Sequence, residues 1–395
     1  MYLTEKHIIK RTHPFYNECD RLCFQSKNIY NQGLYNVRQY YFNTKTYLNY
    51  YGNYDLTKTQ ECYDYLPKKV FCKTLKNVDM VFKSFFALLK NKSVKNKLPK
   101  YLDKVNGRYV ATFTKQAIGL REFKKTGKLR LSQTDIYIAT KLTNFDKLKE
   151  VRVVPRMHHY VIEVVYQVKE KTRCDNGKYA SIDLGLNNLA TVAFNEGSKP
   201  LIINGRPLKS INQYYNKKKA QYQSRLKENK RTSKRICTLT VKRNNKVTDY
   251  LHKASRLLVN QLVSQGITTL VIGKNKNMKQ DINIGKVNNQ NFVQLPIMRF
   301  ADLMKYKCEL EGIKVLFNEE SYTSKCSFLD GEDICKHDKY MGKRVTRGLF
   351  VSRNGIKINA DVNGAYNIMI KAIPNAFADG IEGVEVHPMV VTIKR

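Results

Sequence analysis

The sequence predicts a multidomain α+β protein: an N-terminal half in which helices interrupt antiparallel strands, then an α/β half with a partly parallel sheet. Three observations predict it. Hydrophobic spacing is helical early in the chain and changes to the two-residue period of strands near residue 108. A polar stretch, KEKTRCDNGKYA (169–180), separates the halves. Beyond it, short apolar runs alternate with helical segments, a pattern that folds into a sheet covered by helices.

Taken in order, residues 14–41 place Leu22, Phe24, Ile29, Leu34 and Val37 at roughly helical spacing. A stronger helix follows, with Val70, Leu75, Val78, Val81, Phe82, Phe85, Leu88 and Leu89 on one broad face. ATFTKQ, KLRLSQ and HHYVIEVVYQV then alternate or run β-branched, so 108–168 reads as antiparallel strands. The expected domains are 1–175, with a helical insertion at about 14–100, and 176–395. In the second, ASIDLGLNNLATVAF and LIING (201–205) read as paired strands. Residues 206–264 are helical and basic, and TTLVIG (268–273) is a short buried strand. A helix at 296–311, a strand IKVLFNEE (313–320), a loop-rich insertion at about 324–358 and a helix starting near Asp361 complete the order.

The 395 residues include 71 Lys and Arg against 33 Asp and Glu, a net charge of +38. Such an imbalance costs self-repulsion unless a polyanion offsets it, and nucleic acid is the leading partner. The basic residues are spread along the chain rather than gathered in one amphipathic helix, which argues against a membrane surface. No run of about 20 apolar residues predicts a membrane span. MYLTEKHIIKR at the start lacks the apolar core of a signal peptide. Nine scattered cysteines without a C-x-x-C pair suit a reduced, cytoplasmic protein with free thiols. Tyr and Phe interleave with basic residues, as in QYYFNTKTYLNYY (39–51), and aromatic faces stack on unpaired bases. A Tyr-rich composition of the genome is the plainer explanation of that texture.

Asp183 is the informative carboxylate. It sits in an apolar strand beside Ile182 and Leu184, and an unpaired buried carboxylate is costly. Glu319 and Glu320 end the strand IKVLFNEE, and Asp361 opens a helix. Oxygen ligands suit Mg²⁺ and Mn²⁺, and paired metals clamp the attacking and leaving oxygens of a phosphodiester. Carboxylates on two strands and a helix match an RNase H-like nuclease. Asp361 could equally be a helix cap, and either glutamate a solvated strand end. Among other candidates, His158 and His159 are adjacent, and on a strand would face opposite sides. His252 lies beside Lys253 and near Asp249, where it reads as nucleic-acid contact or solvation. Lys217, Lys218, Lys219, Arg225, Lys230, Arg231, Lys234, Arg235 and Lys253 form a basic run expected to line a nucleic-acid channel.

DLGLNNLAT, VIGKNKNMKQ, NNQNFVQLP, EESYTSK and NADVNGAYNIM, in this order, resemble the TnpB family of insertion-sequence proteins, and VDMVFKSFFALLK resembles its helical recognition segment. The family consists of RNA-guided DNA endonucleases with a RuvC nuclease domain, related to type V CRISPR effectors. The resemblance implies an N-terminal oligonucleotide-binding β-barrel (wedge) with a helical insertion, followed by a RuvC-like domain. It implies a guide RNA from the mobile element, target double-stranded DNA, and two Mg²⁺ or Mn²⁺ ions held by Asp183, a middle acid and Asp361. A nuclease-inactive RNA-guided repressor and a transposition accessory protein are the alternatives.

Two departures from the family pattern stand out. TTLVIGKNKN would ordinarily end in the middle acid, but carries Gly273 there. Glu320, three residues before Thr323, matches the placement of an acid moved to the next strand. Glu319 is the alternative, although strand alternation aims it the other way. The family's zinc ribbon, with two C-x-x-C pairs, is degenerate: Leu329 follows Cys326 where a partner belongs, and Val351 and Asn354 replace the second pair. Cys326, Cys335 and His337 are weak zinc candidates, no zinc is expected, and Phe328, Leu329, Leu349 and Phe350 should hold the insertion together.

The charge carries its own test. Affinity for nucleic acid should fall steeply with salt, with a log–log slope of about −0.9 per phosphate contacted on duplex DNA and about −0.7 on single strands. A nearly flat slope in a filter-binding titration would contradict the polyanion reading.

Overall fold

The computed structural model describes residues 1–90, 97–227, 230–274, 295–378 and 380–393. The chain divides into two compact units, Met1–Lys169 and Glu170–Arg395. Among the described residues no helix is long and apolar enough to cross a membrane.

The first unit contains β1 (Tyr2–Ile9), α1 (Tyr16–Thr44), α2 (Tyr50–Thr57), α3 (Lys68–Leu89), β2 (Ala111–Thr114), α4 (Leu120–Thr126), β3 (Lys128–Arg130), β4 (Tyr137–Ala139), β5 (Leu148–Pro155) and β6 (Tyr160–Gln167). Four strands form an antiparallel sheet in the order β1-β6-β5-β2, and β3 pairs with β4 separately. The closed barrel that the resemblance implied is not formed among the described residues: β1 and β2 are free edges of an open sheet. Four strands leave an apolar face that helices must cover. Leu22 and Cys23 of α1 and Val70, Phe71 and Leu75 of α3 bury it against Phe113, Val151, Val153, Ile162 and Val164. Part of the aromatic run at 39–51 is internal packing: Tyr47 joins Phe82, Phe85 and Phe86 in a second cluster, and Tyr50 packs on the first. Tyr40, Phe42 and Tyr51 remain exposed. His158 and His159 lie in the turn between β5 and β6, so strand alternation does not apply to them.

The second unit contains β7 (Tyr179–Asp183), β8 (Asn188–Phe194), β9 (Leu201–Asn204), α5 (Arg206–Gln223), α6 (Lys234–Ser264), β10 (Thr269–Gly273), α7 (Ile297–Leu310), β11 (Lys314–Asn318), β12 (Lys343–Thr346), β13 (Leu349–Val351), β14 (Lys357–Asn359), α8 (Ala360–Ala372) and β15 (Met389–Val391). Its main sheet has the order β11-β10-β7-β8-β9-β15. β11, β10 and β7 are parallel, β7 through β9 antiparallel, and β15 joins β9 in parallel. This mixed sheet agrees with the partly parallel α/β layer and is consistent with an RNase H-like domain.

The two-residue period of β7 assigns its side chains to two layers. Ala180 and Ile182 join α6 and α7 in the larger core, with Leu251, Leu258, Phe300 and Met304. Ser181 faces α8, donating to the Ala365 carbonyl at 2.6 Å. Asp183, two residues on, shares the α8 face. The insertion packs on α8 as well: Phe328 stacks on Tyr366 with centroids 4.5 Å apart, and Phe350 and Ile358 complete that cluster.

Phe328→Ala should therefore destabilise the C-terminal unit by about 3–5 kcal/mol, the usual cost of removing a buried ring. Denaturant unfolding would show it, and an unchanged midpoint would mean the ring is not a core element.

Candidate functional site

The parallel strands β7, β10 and β11 end together at Asp183, Gly273 and Asn318. Open α/β sheets bind ligands outside such carboxyl ends. Asp183 closes β7, half-buried, with its carboxyl pushed up to about 8. Burial is the main cause, followed by the negative charges of Glu320 and Asp361, while Arg344 opposes the shift. α8 comes close here because position 364 is glycine: a Cβ there would lie 3.2 Å from Asp183 Oδ2.

Glu320 is not on the strand. β11 stops at Asn318, so the alternation argument for choosing between Glu319 and Glu320 does not apply. Their side chains diverge nevertheless. Exposed Glu319 accepts from Lys371 Nζ at 2.9 Å and from Ser321 Oγ. Glu320 turns toward β10, where a Cβ on Gly273 would lie 2.6 Å from its Oε2. The absent side chain at position 273 thus leaves the space that the Glu320 carboxylate fills. Burial and the neighbouring Glu319 push this carboxyl up to about 6.

Asp361 occupies the first turn of α8 without capping it. The cap is Asn359, whose Oδ1 accepts from the backbone of Asp361 at 3.0 Å and Val362 at 3.2 Å. Both oxygens of Asp361 are engaged from the side: Oδ2 accepts from Asn188 Nδ2 at 2.7 Å, and Oδ1 lies 3.1 Å from Arg344 Nη2. A cavity of about 520 Å³ joins Asp183 and Asp361 to Asn188, Arg206, Arg344 and Arg347. Among the described residues no group of three His, Cys, Asp or Glu side chains closes on a single point as a metal ion would require.

The loop after Glu320 is tied to α8 by two buried asparagines one turn apart. Asn363 Nδ2 donates to the Cys326 carbonyl at 2.9 Å and its Oδ1 accepts from Phe328 N at 3.0 Å. Asn367 Nδ2 donates to the carbonyls of Thr323 at 2.8 Å and Cys326 at 2.7 Å. Thr323 Oγ1 donates to the Glu320 carbonyl at 2.8 Å. These bonds fix Glu320 relative to Asp361. In the insertion, the Cys326 thiol faces the Cys335 carbonyl at 3.6 Å rather than its sulfur, and Cys335 Sγ lies 3.4 Å from His337 Nε2.

The basic run divides between two helices and their connection. Lys217, Lys218 and Lys219 lie on α5, Lys234, Arg235 and Lys253 on α6, and Arg225, Lys230 and Arg231 between them. Lys253 is paired with Asp249 at 2.9 Å. Buried Lys307 donates to the His252 carbonyl at 2.9 Å. Most of VIGKNKNMKQ and NNQNFVQLP lies outside the described residues. Sequence reasoning missed Arg344, Arg206 and Arg347, which carry no local signal, and Asn188, which stands inside DLGLNNLAT.

The mixed sheet and its helical cover form an α/β domain in a larger α+β protein, consistent with an RNase H-like fold. Residues 159–279 match the OrfB_IS605 family, a probable transposase, and residues 298–368 match the Cas12f1-like TNB domain. The TnpB-like protein ORF457 of Acidianus two-tailed virus is 27% identical over 206 residues, 50% of this chain and 42% of that protein. The CRISPR-associated endodeoxyribonuclease Cas12f2 of a Micrarchaeota archaeon is 24% identical over 233 residues, 55% of this chain and 41% of that protein. Cas12f1 in its complex with sgRNA and target DNA has a similar fold, with TM-score 0.54 and 15% identity over 90% of this chain and 82% of that one. Over these segments the chain is similar to TnpB-like and Cas12f proteins. It spans about half the length of the curated relatives it matches.

The raised carboxyl of Asp183 gives a pH dependence. A carboxyl whose folded pKa exceeds its unfolded value contributes stability at low pH that is lost as pH rises through the folded pKa. For Asp183 that window runs from its ordinary 3.8 to about 8. Without divalent ions, Asp183→Asn should raise the melting temperature above about pH 8 and change it little below the ordinary carboxyl range. An equal effect at both ends would place the cause in packing rather than charge.

Proposed function

We propose that this chain is an RNA-guided, divalent-metal-dependent DNA endonuclease of a mobile element, acting in the cytoplasm and cutting beside a short flanking motif. The observation that carries this reading is the placement of the Glu320 carboxylate in the space left by Gly273, beside Asp183 and on the side of the sheet where α8 presents Asp361. Three carboxylates gathered near the carboxyl ends of the parallel strands suit a hard cation, which would offset the burial and the repulsion that raise Asp183. Asp183, Glu320 and Asp361 would hold two Mg²⁺ or Mn²⁺ ions. When bound, such ions lower the pKa of an attacking water and stabilise the departing 3′ oxygen.

The remaining roles belong to the chain itself. Asn188 orients Asp361, and Asn363 and Asn367 hold the loop that presents Glu320. Arg344 balances Asp361 before a cation arrives. Arg206 and Arg347 line the same cavity and would meet the phosphates of a strand entering it. The first unit would hold guide RNA and read the flanking motif. Phosphate contacts would supply affinity, and pairing with the guide would supply sequence choice. The endodeoxyribonuclease relatives and the Cas12f1 complex support this assignment.

A second reading, a nuclease-inactive RNA-guided DNA-binding protein, is favoured by one observation: the described carboxylates do not close on a single point. Cleavage separates the two. Glu320→Gln, Asp183→Ala and Asp361→Ala should each abolish Mg²⁺-dependent cutting of a guided DNA target while leaving target binding intact. Glu319→Gln should retain most activity. Gly273→Ala, whose methyl would sit 2.6 Å from Glu320 Oε2, should reduce cutting without weakening binding. Cutting that survives Glu320→Gln but not Glu319→Gln would move the middle ligand to Glu319. An unmodified protein that binds its target but never cuts would establish the inactive reading.

A further inference from the structure

A second concavity lies between α5 and α6, at about 810 Å³ larger than the carboxylate cavity. It is lined by Tyr214, Tyr215 and Tyr222 from α5 and by Lys234, Arg235, Lys242, Arg243 and Lys246 from α6. None of these residues reaches the carboxylate cavity.

The lining separates into a fixed floor and free groups. Arg243 is held by Asn212 Oδ1 at 2.8 Å and lies over the Tyr215 ring at 5.8 Å. The Tyr215 hydroxyl is 3.1 Å from Thr240 Oγ1, so this ring is fixed too. Tyr214, by contrast, is 59% exposed, and Tyr222 is half-buried. Lys234, Arg235, Lys242 and Lys246 are exposed, and among the described residues none of them pairs with a carboxylate. α5 contains no acid, and the single acid of α6, Asp249, is paired with Lys253. An ordinary solvated face is convex and mixed in sign. This one is concave, free of acids and paved with aromatic rings.

Resting on the reading that nucleic acid is the partner, we infer that this groove is a binding site for single-stranded nucleic acid, seating unpaired bases against Tyr214 and Tyr222 and their flanking phosphates on Lys234, Arg235, Lys242 and Lys246. A duplex offers a basic helix its phosphates, with base faces stacked inside. Only an unpaired base presents a face to tyrosine. The volume falls within the roughly 300–1,000 Å³ of sites that enclose small ligands. A guide RNA and a displaced DNA strand share this chemistry.

The test uses the full chain and two single-stranded probes of one sequence, RNA and DNA, each carrying a single 5-iodouracil, with the photocrosslinked peptides mapped by mass spectrometry. Crosslinks in the α5 peptide bearing Tyr214 and Tyr222 are expected, and the probe that forms them identifies the source strand. In parallel, fluorescence anisotropy compares the double variant Tyr214→Ala/Tyr222→Ala with Tyr214→Phe/Tyr222→Phe. The alanine pair should weaken single-strand binding about tenfold, the scale of a lost base stack, and leave duplex binding unchanged, while the phenylalanine pair restores it. An abasic probe should bind both variants equally. Crosslinks confined to other peptides, or an alanine pair that binds single strands normally, would overturn the groove while leaving the nuclease reading intact. An unmodified chain that binds neither single strands nor duplex would overturn both.

Discussion

The second unit is arranged around a repulsion. Asp183, Glu320 and Asp361 crowd the carboxyl ends of three parallel strands, and burial there raises the first two carboxyls. A cluster of like charges in a low dielectric is relieved either by taking up a proton or by a cation nearby. The local answer is Arg344, which reaches Asp361 from β12. The start of α8 adds a second, because the positive end of a helix dipole favours a carboxylate in its first turn. Both are partial. Asp183 stays raised with Arg344 in place, so the site retains an unmet demand for positive charge.

That demand sets the tolerances of everything around it. Carboxylates from two strand ends and one helix must be held against their own repulsion, which needs rigid supports. The larger core fixes β7 and β10 through α6 and α7, while Phe328, Phe350 and Tyr366 fix α8 to the insertion. Asn363 and Asn367 then link α8 to the loop carrying Glu320 with four hydrogen bonds, each atom buried and partnered. The insertion ties the loop that carries the second carboxylate to the helix that carries the third, by packing and amide bonds.

Local patterns made part of this legible. α3 covers Lys68–Leu89, the stretch whose apolar face was expected, and β10 and α8 stand where TTLVIG and NADVNGAYNIM place them. β1 was not read, because Tyr2–Ile9 mixes Lys6 and His7 with its apolar positions, and its pairing partner β6 lies over 150 residues away. The end of β11 at Asn318 was also missed, since IKVLFNEE has no Gly or Pro before its glutamates and Asn318 alone is a weak stop. Arg344 could not be found from spacing at all. Its contact with Asp361 depends on how β12 and β13 fold back, a tertiary fact. The groove stripe was visible in principle: Lys234, Lys242 and Lys246 fall four or eight residues apart, and Arg235 and Arg243 eight apart, spacings that share one helical face.

The distribution of charge follows from the same constraint. A chain of net charge +38 attracts phosphate backbones from all sides, yet its cavity of carboxylates repels them at the last few ångströms. A strand entering that cavity would meet Arg206 and Arg347 on the walls before it met Asp183 and Asp361 within. In the proposed nuclease, cations on the rim would hold the phosphates, and carboxylates at the centre would repel them until their own charge is neutralised. An acidic centre inside a basic protein would then separate holding a nucleic acid from acting on it, and the second step would depend on a cation that the chain supplies only in part through Arg344.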